Sequence, residues 1–161
     1  MQAQKVQAEA ATLKVVAHKK DGSLVKGFTL YIPEFYKQPF ERLPGALPPA
    51  RLELRLEENG KKSHIDLRKV KALFFVKSFA GSTEYNEIKF FKAHPLLEGL
   101  WVRLTFADGE CTEGVIYNSL HYLVNPGFFL KPPDPNSNNE IVYVMTNSLR
   151  DFRILGVRNS F

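Results

Sequence analysis

The 161-residue sequence lacks several features that would assign a class at once. It contains one cysteine, Cys111, so no disulfide within the chain can form and the cytoplasm is the expected compartment. Its longest apolar runs, such as Leu73–Val76, are too short to span a bilayer, and the first residues show no apolar stretch followed by a cleavage site. The sequence therefore predicts neither a membrane span nor a secretory signal.

Motifs of catalysis are also missing. The sequence has no G-x-S-x-G elbow, no G-x-x-x-x-G-K-[ST] phosphate loop and no G-x-G-x-x-G dinucleotide loop. The four histidines are scattered without metal-ligand spacing, and His64 beside Ser63 is better explained as a polar strand position than as a catalytic base. We therefore expect no catalytic residue, no metal and no cofactor, and a protein that is not an enzyme.

Charge is unevenly distributed along the chain. Residues 1–80 carry 15 Lys and Arg against 8 Asp and Glu, whereas residues 81–161 carry 7 against 9. A basic first half favours an anionic partner such as a nucleic acid, but an ordinary solvated surface explains the same numbers. Both interpretations stay open from the sequence.

What the sequence does contain is an internal repeat. Residues 15–31 and 102–118 share an Asp-Gly pair and a second glycine five positions later, at a constant offset of 87 residues. The matching positions are Asp21, Gly22 and Gly27 in the first copy and Asp108, Gly109 and Gly114 in the second. A repeat of this length indicates two copies of one supersecondary unit.

Local patterns predict five short strands in each copy. Alternating apolar residues that end in Asp-Gly are typical of a hairpin, and the second glycine indicates a bulge or a sharp bend in the second strand. Leu52, Leu54 and Leu56 alternate with charged residues and predict a third strand. Because short strands need their edges covered, we expect an all-β fold of two tandem five-stranded SH3- or Sm-like barrels packed together.

The expected domain boundaries follow from the repeat. Residues 1–11 form a flexible tail, residues 12–80 the first barrel, residues 81–99 a connector and residues 100–161 the second barrel. The connector is expected to add one more strand, through Ile88 and Phe90.

The last strand of the first copy, Ala72–Val76, is apolar on both faces. We therefore expect Phe74 and Val76 to pack against the second copy or the connector, giving one rigid body.

Longer motifs resemble an uncharacterised bacterial domain family. The hairpin ends in DG-x-x-x-x-G, Pro126–Glu140 reads PGFFLKPPDPNSNNE, and KALFFVKSFAG with EYNE closes the first copy (Lys71–Glu87). The resemblance covers Leu13–Leu155 and implies a cytoplasmic bacterial protein, in a family whose members are sometimes joined to signalling modules such as PilZ or receiver domains. It implies no activity.

The same hairpin also resembles the first half of Sm-like RNA-binding proteins. Those proteins read RNA through an Asp and an Asn in the loop after the second strand, a pattern missing from residues 32–35 and 119–122. The RxxxR arm and the [DN]-x-S-x-x-G segment of a PilZ domain are missing as well. This resemblance supports a fold and not RNA binding.

Two segments are candidate partner-binding surfaces. The first is the Pro-rich insert of the first copy, where aromatic and basic side chains are interleaved; its candidates are Phe35, Tyr36, Lys37, Phe40 and Arg42. The second is the loop 132–139, stiffened by three prolines; its candidates are Asp134, Asn136, Asn138 and Asn139. The alternative for the insert is a lid that closes the open end of the barrel. The alternative for the loop is a rigid cap whose side chains form hydrogen bonds to the backbone of the loop itself.

These features predict a non-catalytic cytoplasmic binding or adaptor module that acts through protein–protein recognition, in bacterial signalling or as a subunit of an assembly. The alternative is Sm-like binding of RNA or single-stranded DNA by the basic first barrel. The salt dependence of binding distinguishes the two functions, because the affinity for a nucleic acid falls steeply as ionic strength rises. Oligomeric state does not follow from the sequence.

Overall fold

The structure, a computed structural model, describes residues 12–31, 47–81, 85–95 and 98–158. Within those residues the fold is all-β, with almost no helix. The strands are β1 (Leu13–Lys19), β2 (Leu24–Thr29), β3 (Arg51–Leu56), β4 (Lys62–Asp66), β5 (Val70–Val76), β6 (Gly99–Phe106), β7 (Cys111–Ile116), β8 (Gly127–Lys131), β9 (Asn139–Met145) and β10 (Leu149–Arg158). The short helix α1 (His121–Val124) joins β7 to β8, and 3₁₀ turns at Leu67–Lys69 and Thr146–Ser148 precede β5 and β10.

The strands form one open antiparallel sheet in the order β10-β6-β7-β8-β9-β5-β1-β2-β3-β4. Each half of the chain contributes five neighbouring strands, in which the last strand lies beside the first. The halves are joined where β9 pairs with β5. This pairing does not confirm two closed barrels, because within the described residues β4 and β10 are the open edges of a single sheet.

The two halves of the sheet share one register. The β1–β5 pair Ala17↔Leu73 corresponds to the β6–β10 pair Leu104↔Phe152, with an offset of 87 residues in the first strands and 79 in the last. The two 3₁₀ turns, Leu67–Lys69 and Thr146–Ser148, are also 79 residues apart. Residues 149–154 of β10 therefore correspond to residues 70–75 of β5, and residues 141–145 of β9 correspond to residues 62–66 of β4. Beyond Ile154 a register shift between β10 and β6 ends the correspondence.

Glycines shape the hairpin of each half. Gly22 and Gly109 have φ of +89° and +92°, the left-handed conformation that the predicted tight turn requires. Of the bulge or sharp bend predicted at Gly27, the bulge is absent, since β1 and β2 pair without a register shift. A Cβ at Gly27 would lie 2.7 Å from the carbonyl oxygen of Arg55, so the glycine is needed for the close approach of β3.

Apolar side chains form two cores that share β5 and β9. Leu73 and Phe75 of β5 lie in the first core, whereas Ala72 lies in the second and Phe74 packs against it. The expectation that Phe74 packs against the second half is confirmed. Strand β9 also contributes to both cores. Its side chains in the first core are Ile141, Tyr143 and Met145.

The connector does not form the expected strand through Ile88 and Phe90, because residues 85–95 contain no strand. The segment is instead attached to β7, where the backbone N–H of Glu113 donates to the carbonyl of Lys89 at 2.8 Å. None of the helices in the described part of the chain has the length and apolar character that crossing a bilayer requires.

Candidate functional site

The predicted partner-binding insert lies outside the described residues. Its candidates Phe35, Tyr36, Lys37, Phe40 and Arg42 all fall in residues 32–46. The binding surface and the lid that the sequence suggests for this insert therefore both stay predictions.

The second predicted surface, the loop 132–139, is bound to the connector. Asp134 is only 4% exposed, and its carboxylate accepts hydrogen bonds from the Tyr85 hydroxyl and from the Ile88 backbone N–H at 3.1 Å. It also accepts the backbone N–H of Asn136 at 2.9 Å. Asn136 itself is exposed. Asp134 therefore holds the connector in place through contacts within the chain.

The remaining candidates of this loop make similar contacts. The side chain of Asn138 accepts the Ser78 backbone N–H at 3.0 Å and donates to the Ser78 carbonyl at 2.9 Å. Ser137 donates to the Glu87 carboxylate, and Asn139 donates to the same group at 3.4 Å. The loop acts as a clamp on Ser78 and on residues 85–88. The cap interpretation is therefore closer to the structure, with partners in the connector as well as in the loop itself.

The clamp makes connector attachment sensitive to acid. The pKa of Asp134 lies below its ordinary value of 3.8, first because the Tyr85 hydroxyl donates to the carboxylate and then because the Ile88 amide does. Because the pKa of Asp134 is lower in the folded chain than in the unfolded chain, its ionised carboxylate stabilises the folded state at pH values above the unfolded pKa. This stabilisation is lost as the pH falls through the pKa of the folded chain. We expect the amide NMR resonance of Ile88 to titrate with a midpoint under 3.8. The Asp134→Asn variant should lack this transition, and a midpoint at or above the ordinary value would contradict the assignment.

A buried lysine ties the two halves together. Lys71 of β5 is buried, and its ammonium donates to Asp108 at 2.6 Å and to Glu110, both in the β6–β7 turn. The ammonium also lies 4.4 Å from the centre of the Phe106 ring. The hydrogen bond from Lys71 lowers the pKa of Asp108. These contacts hold the second hairpin against the first half and leave Lys71 no role toward a ligand.

Strand β10 carries exposed apolar side chains. Ile154 is 48% exposed, although its equivalent in the first half, Phe75, is completely buried. Val157, further along β10, is 51% exposed. The difference has a structural cause: Phe75 is covered by Ile141 and Tyr143 of β9, whereas no described strand lies beside β10 on that side.

Helix α1 extends this apolar surface. The Tyr122 ring stacks on Phe152 of β10, with centroids 5.5 Å apart and planes 10° from parallel. Three aliphatic side chains next to Tyr122 in the sequence are well over half exposed: Leu120, Leu123 and Val124. We call the surface formed by α1 with its flanking Leu120 and the free side of β10 the β10 edge. Single exposed apolar residues are ordinary, but a contiguous set on an unpaired strand marks an interaction site.

The opposite edge of the sheet is different in character. The β9 residues that reach into the first core are apolar, whereas the equivalent residues of β4 are Lys62, His64 and Asp66. Glu53 of β3 lies 3.8 Å from Lys62 and 3.5 Å from His64. Charged side chains on an edge strand disfavour the addition of another strand. The β4 edge is therefore protected by charge, whereas β10 presents apolar Phe152 and Ile154 on one side and charged Asp151 and Arg153 on the other.

A basic and aromatic surface lies on the first half. The Arg55 guanidinium is 5.3 Å from the Phe28 ring centre, and Phe28 meets Phe79 edge-on at 5.2 Å. Lys14 and Lys26 lie beside them, but each donates to a backbone carbonyl of the segment that follows β5. These cations hold that segment and already cover the rings, which leaves little free aromatic face for a base.

Among the described residues no group of three or more His, Cys, Asp or Glu is placed to hold a metal ion. Cys111 is half-buried, and Leu24, its equivalent in the first half, is exposed. Both lie at the start of the second hairpin strand, near the turn.

Comparison with known proteins identifies a family whose function is unknown. Residues 11–156 match the Family of unknown function (DUF6982). This agrees with the expectation of an uncharacterised family over most of the chain. No curated protein and no solved structure matches the chain.

Proposed function

The chain belongs to that family of unknown function, and we propose that it is a non-catalytic binding module that accepts an extended strand of another protein along the β10 edge. The proposal is carried by one contrast: Phe75 is fully buried beneath β9, whereas its equivalent Ile154 is 48% exposed. Strand addition uses the backbone groups of a free edge for affinity and contacts with side chains beside it for specificity. The β10 edge offers an unpaired strand and exposed apolar side chains.

The internal junction supports this mode of binding. Strand β9 pairs with the backbone of β5 along one side, and its apolar side chains complete the first core. The second core has no such neighbour at β10 among the described strands. Fully burying an aliphatic side chain contributes about 1.5–3 kcal/mol. Since Ile154 and Val157 are already about half buried, a strand that covers them gains roughly half of that range from each.

We further propose that each half is a small SH3- or Sm-like unit. The order of the five strands in each half and the separate core of each half support this view. The bacterial cytoplasm is the compartment we propose, on the basis of the single cysteine and the motif resemblance.

Nucleic-acid binding by the first half is the second candidate. It is favoured by the cluster of Lys14, Lys26 and Arg55 around two aromatic rings. The three cations are engaged in intramolecular contacts, whereas the apolar side chains of the β10 edge are not covered by described residues. We therefore place protein recognition first.

A matched pair of variants tests the proposal. The full chain, the Ile154→Lys variant and the Leu24→Lys control are used to isolate partners from the source organism at low and physiological salt. Both substitutions place a lysine on an exposed aliphatic position, 48% and 53% exposed, but only Ile154 lies on the β10 edge. We expect proteins that are retained by the full chain and the control at both salt concentrations and lost with Ile154→Lys.

Three results would contradict the proposal. The first is retention of the same proteins by the Ile154→Lys variant. The second is an eluate without protein. The third is recovery of nucleic acid alone that is released by salt, which would favour the second candidate.

A further inference from the structure

We infer that a second copy of this chain covers the free side of β10 when no other partner is bound, with the two β10 strands antiparallel about a two-fold axis at Phe152. The inference rests on the site of the proposed function and adds its regulation, because a partner strand must first displace the second copy. It follows from the residue order Asp151-Phe152-Arg153, which complements itself under this symmetry.

The free side of β10 is available to another strand. Strand β6 pairs with one side of β10, and no described strand lies on the other. From Asp151 to Ile154 the pairing with β6 has no register shift, so this stretch is regular. An unpaired strand is a template for a second chain, and two-fold dimers are the commonest homo-oligomers. The regular stretch therefore sets where a second copy pairs.

The two-fold axis decides which residues meet. In an antiparallel pair with this symmetry, residues equally far from the axis lie opposite each other. With the axis at Phe152, Asp151 of each copy lies opposite Arg153 of the other, and the two Phe152 side chains lie opposite each other. Opposed side chains share a face of the sheet, so the charges lie on one face and the rings on the other.

Other positions of the axis do not join opposite charges. An axis at Asp151 or at Arg153 would place that residue opposite its own copy, and like charges directly opposite are destabilising. An axis at Ile154 would place Arg153 opposite Leu155. An axis between two residues would oppose side chains from different faces, which the pleat of a sheet does not allow. Phe152 is therefore the centre that the charges of the regular stretch select.

The charges near the axis already have partners within the chain. Arg153 lies 2.7 Å from Asp151, and Arg103 of β6 lies 2.9 Å from Glu113. The Asp151–Arg153 pair persists in the dimer, where each of its charges gains a second, opposite neighbour across the axis. Because these side chains are 44% and 67% exposed, the added pairs contribute little affinity and mainly fix the register.

The affinity comes from the apolar face and from the backbone. Each Ile154, 48% exposed in the single chain, lies diagonal to Phe152 of the other copy, within reach of its ring. Two Phe152 and two Ile154 side chains therefore form one apolar cluster at the axis. A copy that used β4 as β9 is used at β5 would instead place Lys62 opposite Ile154 and His64 opposite Phe152. The β10 strand is the better match.

The test measures the molar mass of the purified full chain by light scattering over a range of concentrations. We expect the unaltered chain to approach twice the mass of one copy. Asp151→Arg and Arg153→Asp each place like charges opposite each other twice, so each should raise the dissociation constant of the dimer about tenfold or more. An equimolar mixture of the two variants should recover the dimer, because every charge then lies opposite its counterpart.

The mixture isolates the contact between copies. Both variants lack the ion pair within β10, so its loss cannot explain a dimer that returns on mixing. The control is Lys62→Asp on β4, whose side chain is 79% exposed and which should leave the mass unchanged. Circular dichroism confirms that the variants, all at exposed side chains, remain folded.

Four outcomes would count against the inference. A chain that stays monomeric at every concentration overturns it and leaves the proposed strand addition intact. A dimer that both charge variants keep, or a mixture that stays monomeric, overturns the pairing at Phe152. Assemblies larger than a dimer that are lost with Lys62→Asp would place β4 against β10 instead. Conversely, if the isolation from the source organism yields no other protein while the pure chain dimerises, the proposed function fails and the pairing of two copies stands.

Discussion

Replacing Phe75 with alanine is expected to lower the free energy of unfolding by about 3–5 kcal/mol, the range for truncating a buried aromatic side chain. Phe75 is completely buried, and Tyr31 and Phe129 lie within 6.4 and 6.5 Å of its ring centre. Phe129 and the β9 side chains around it belong to the second half, so the cavity would open between both halves. Urea unfolding followed by circular dichroism measures the loss.

The control is Ile154→Ala at the equivalent position of β10. Because Ile154 is nearly half exposed, we expect a change below about 1 kcal/mol. The slope of unfolding free energy against urea should be the same for both variants if each unfolds in one step. Similar losses at the two positions would contradict the view that β10 lacks the neighbour that β5 has.

This contrast explains why the two halves are not interchangeable. The first core is completed by Ile141, Tyr143 and Met145 from the second half, whereas the described second core receives only Ala72 and Phe74 from the first. The first half therefore depends on the second for burial of its last strand. The second half has an uncovered last strand, and that asymmetry is the physical basis of the proposed binding site.

Features that depend on neighbours in sequence were predictable. The Asp-Gly turns, the alternation of Leu52, Leu54 and Leu56, and the apolar character of both faces of β5 are local patterns, and the structure places the corresponding elements where the sequence suggests. Phe74 predicts that β5 lies inside the sheet, because this apolar side chain would be exposed if nothing covered the second face of the strand. The observed strands confirm the all-β class that these patterns predict.

Features that depend on distant partners were not predictable from local pattern. Asp134 looks like a free loop carboxylate until Tyr85, 49 residues away, is placed beside it. The closed barrels were inferred from strand length, but whether an edge closes on itself or pairs with another half depends on tertiary contacts. A signal for the protected edge was present, since β4 carries Lys62 and His64 where β9 carries Ile141 and Tyr143.

Glu113 is the clearest residue that the sequence patterns missed. Its side chain is 1% exposed, and one carboxylate oxygen accepts the Trp101 indole N–H at 2.9 Å and the Phe91 backbone N–H at 3.2 Å. The other oxygen accepts the Arg103 guanidinium at 2.9 Å. In the first half the equivalent position is Lys26, which also holds a neighbouring segment by a hydrogen bond to a backbone carbonyl. Glu113 therefore fastens the connector to the outer face of β6 and β7.

The Glu113→Leu variant is expected to lose about 3 kcal/mol of unfolding free energy, because two N–H groups lose their acceptor and each such loss costs about 1–3 kcal/mol. Arg103 is partly exposed and can be hydrated, so its charge adds little to the loss. Trp101 is the only tryptophan of the chain, so its fluorescence reports the site directly. We expect a red shift of the emission as the connector separates from the indole, whose ring Phe91 and His94 contact edge-on.

The Glu113→Gln variant separates hydrogen bonding from charge. Glutamine keeps one oxygen that can accept from Trp101 and Phe91 but loses the ion pair with Arg103, so we expect a smaller loss of stability and an emission maximum close to that of the unaltered chain. If Glu113→Leu leaves the emission maximum in place, the connector is held by other contacts. The hydrogen bonds that join Ser78, Glu87 and Ile88 to the loop 132–139 are then the ones that fix its position.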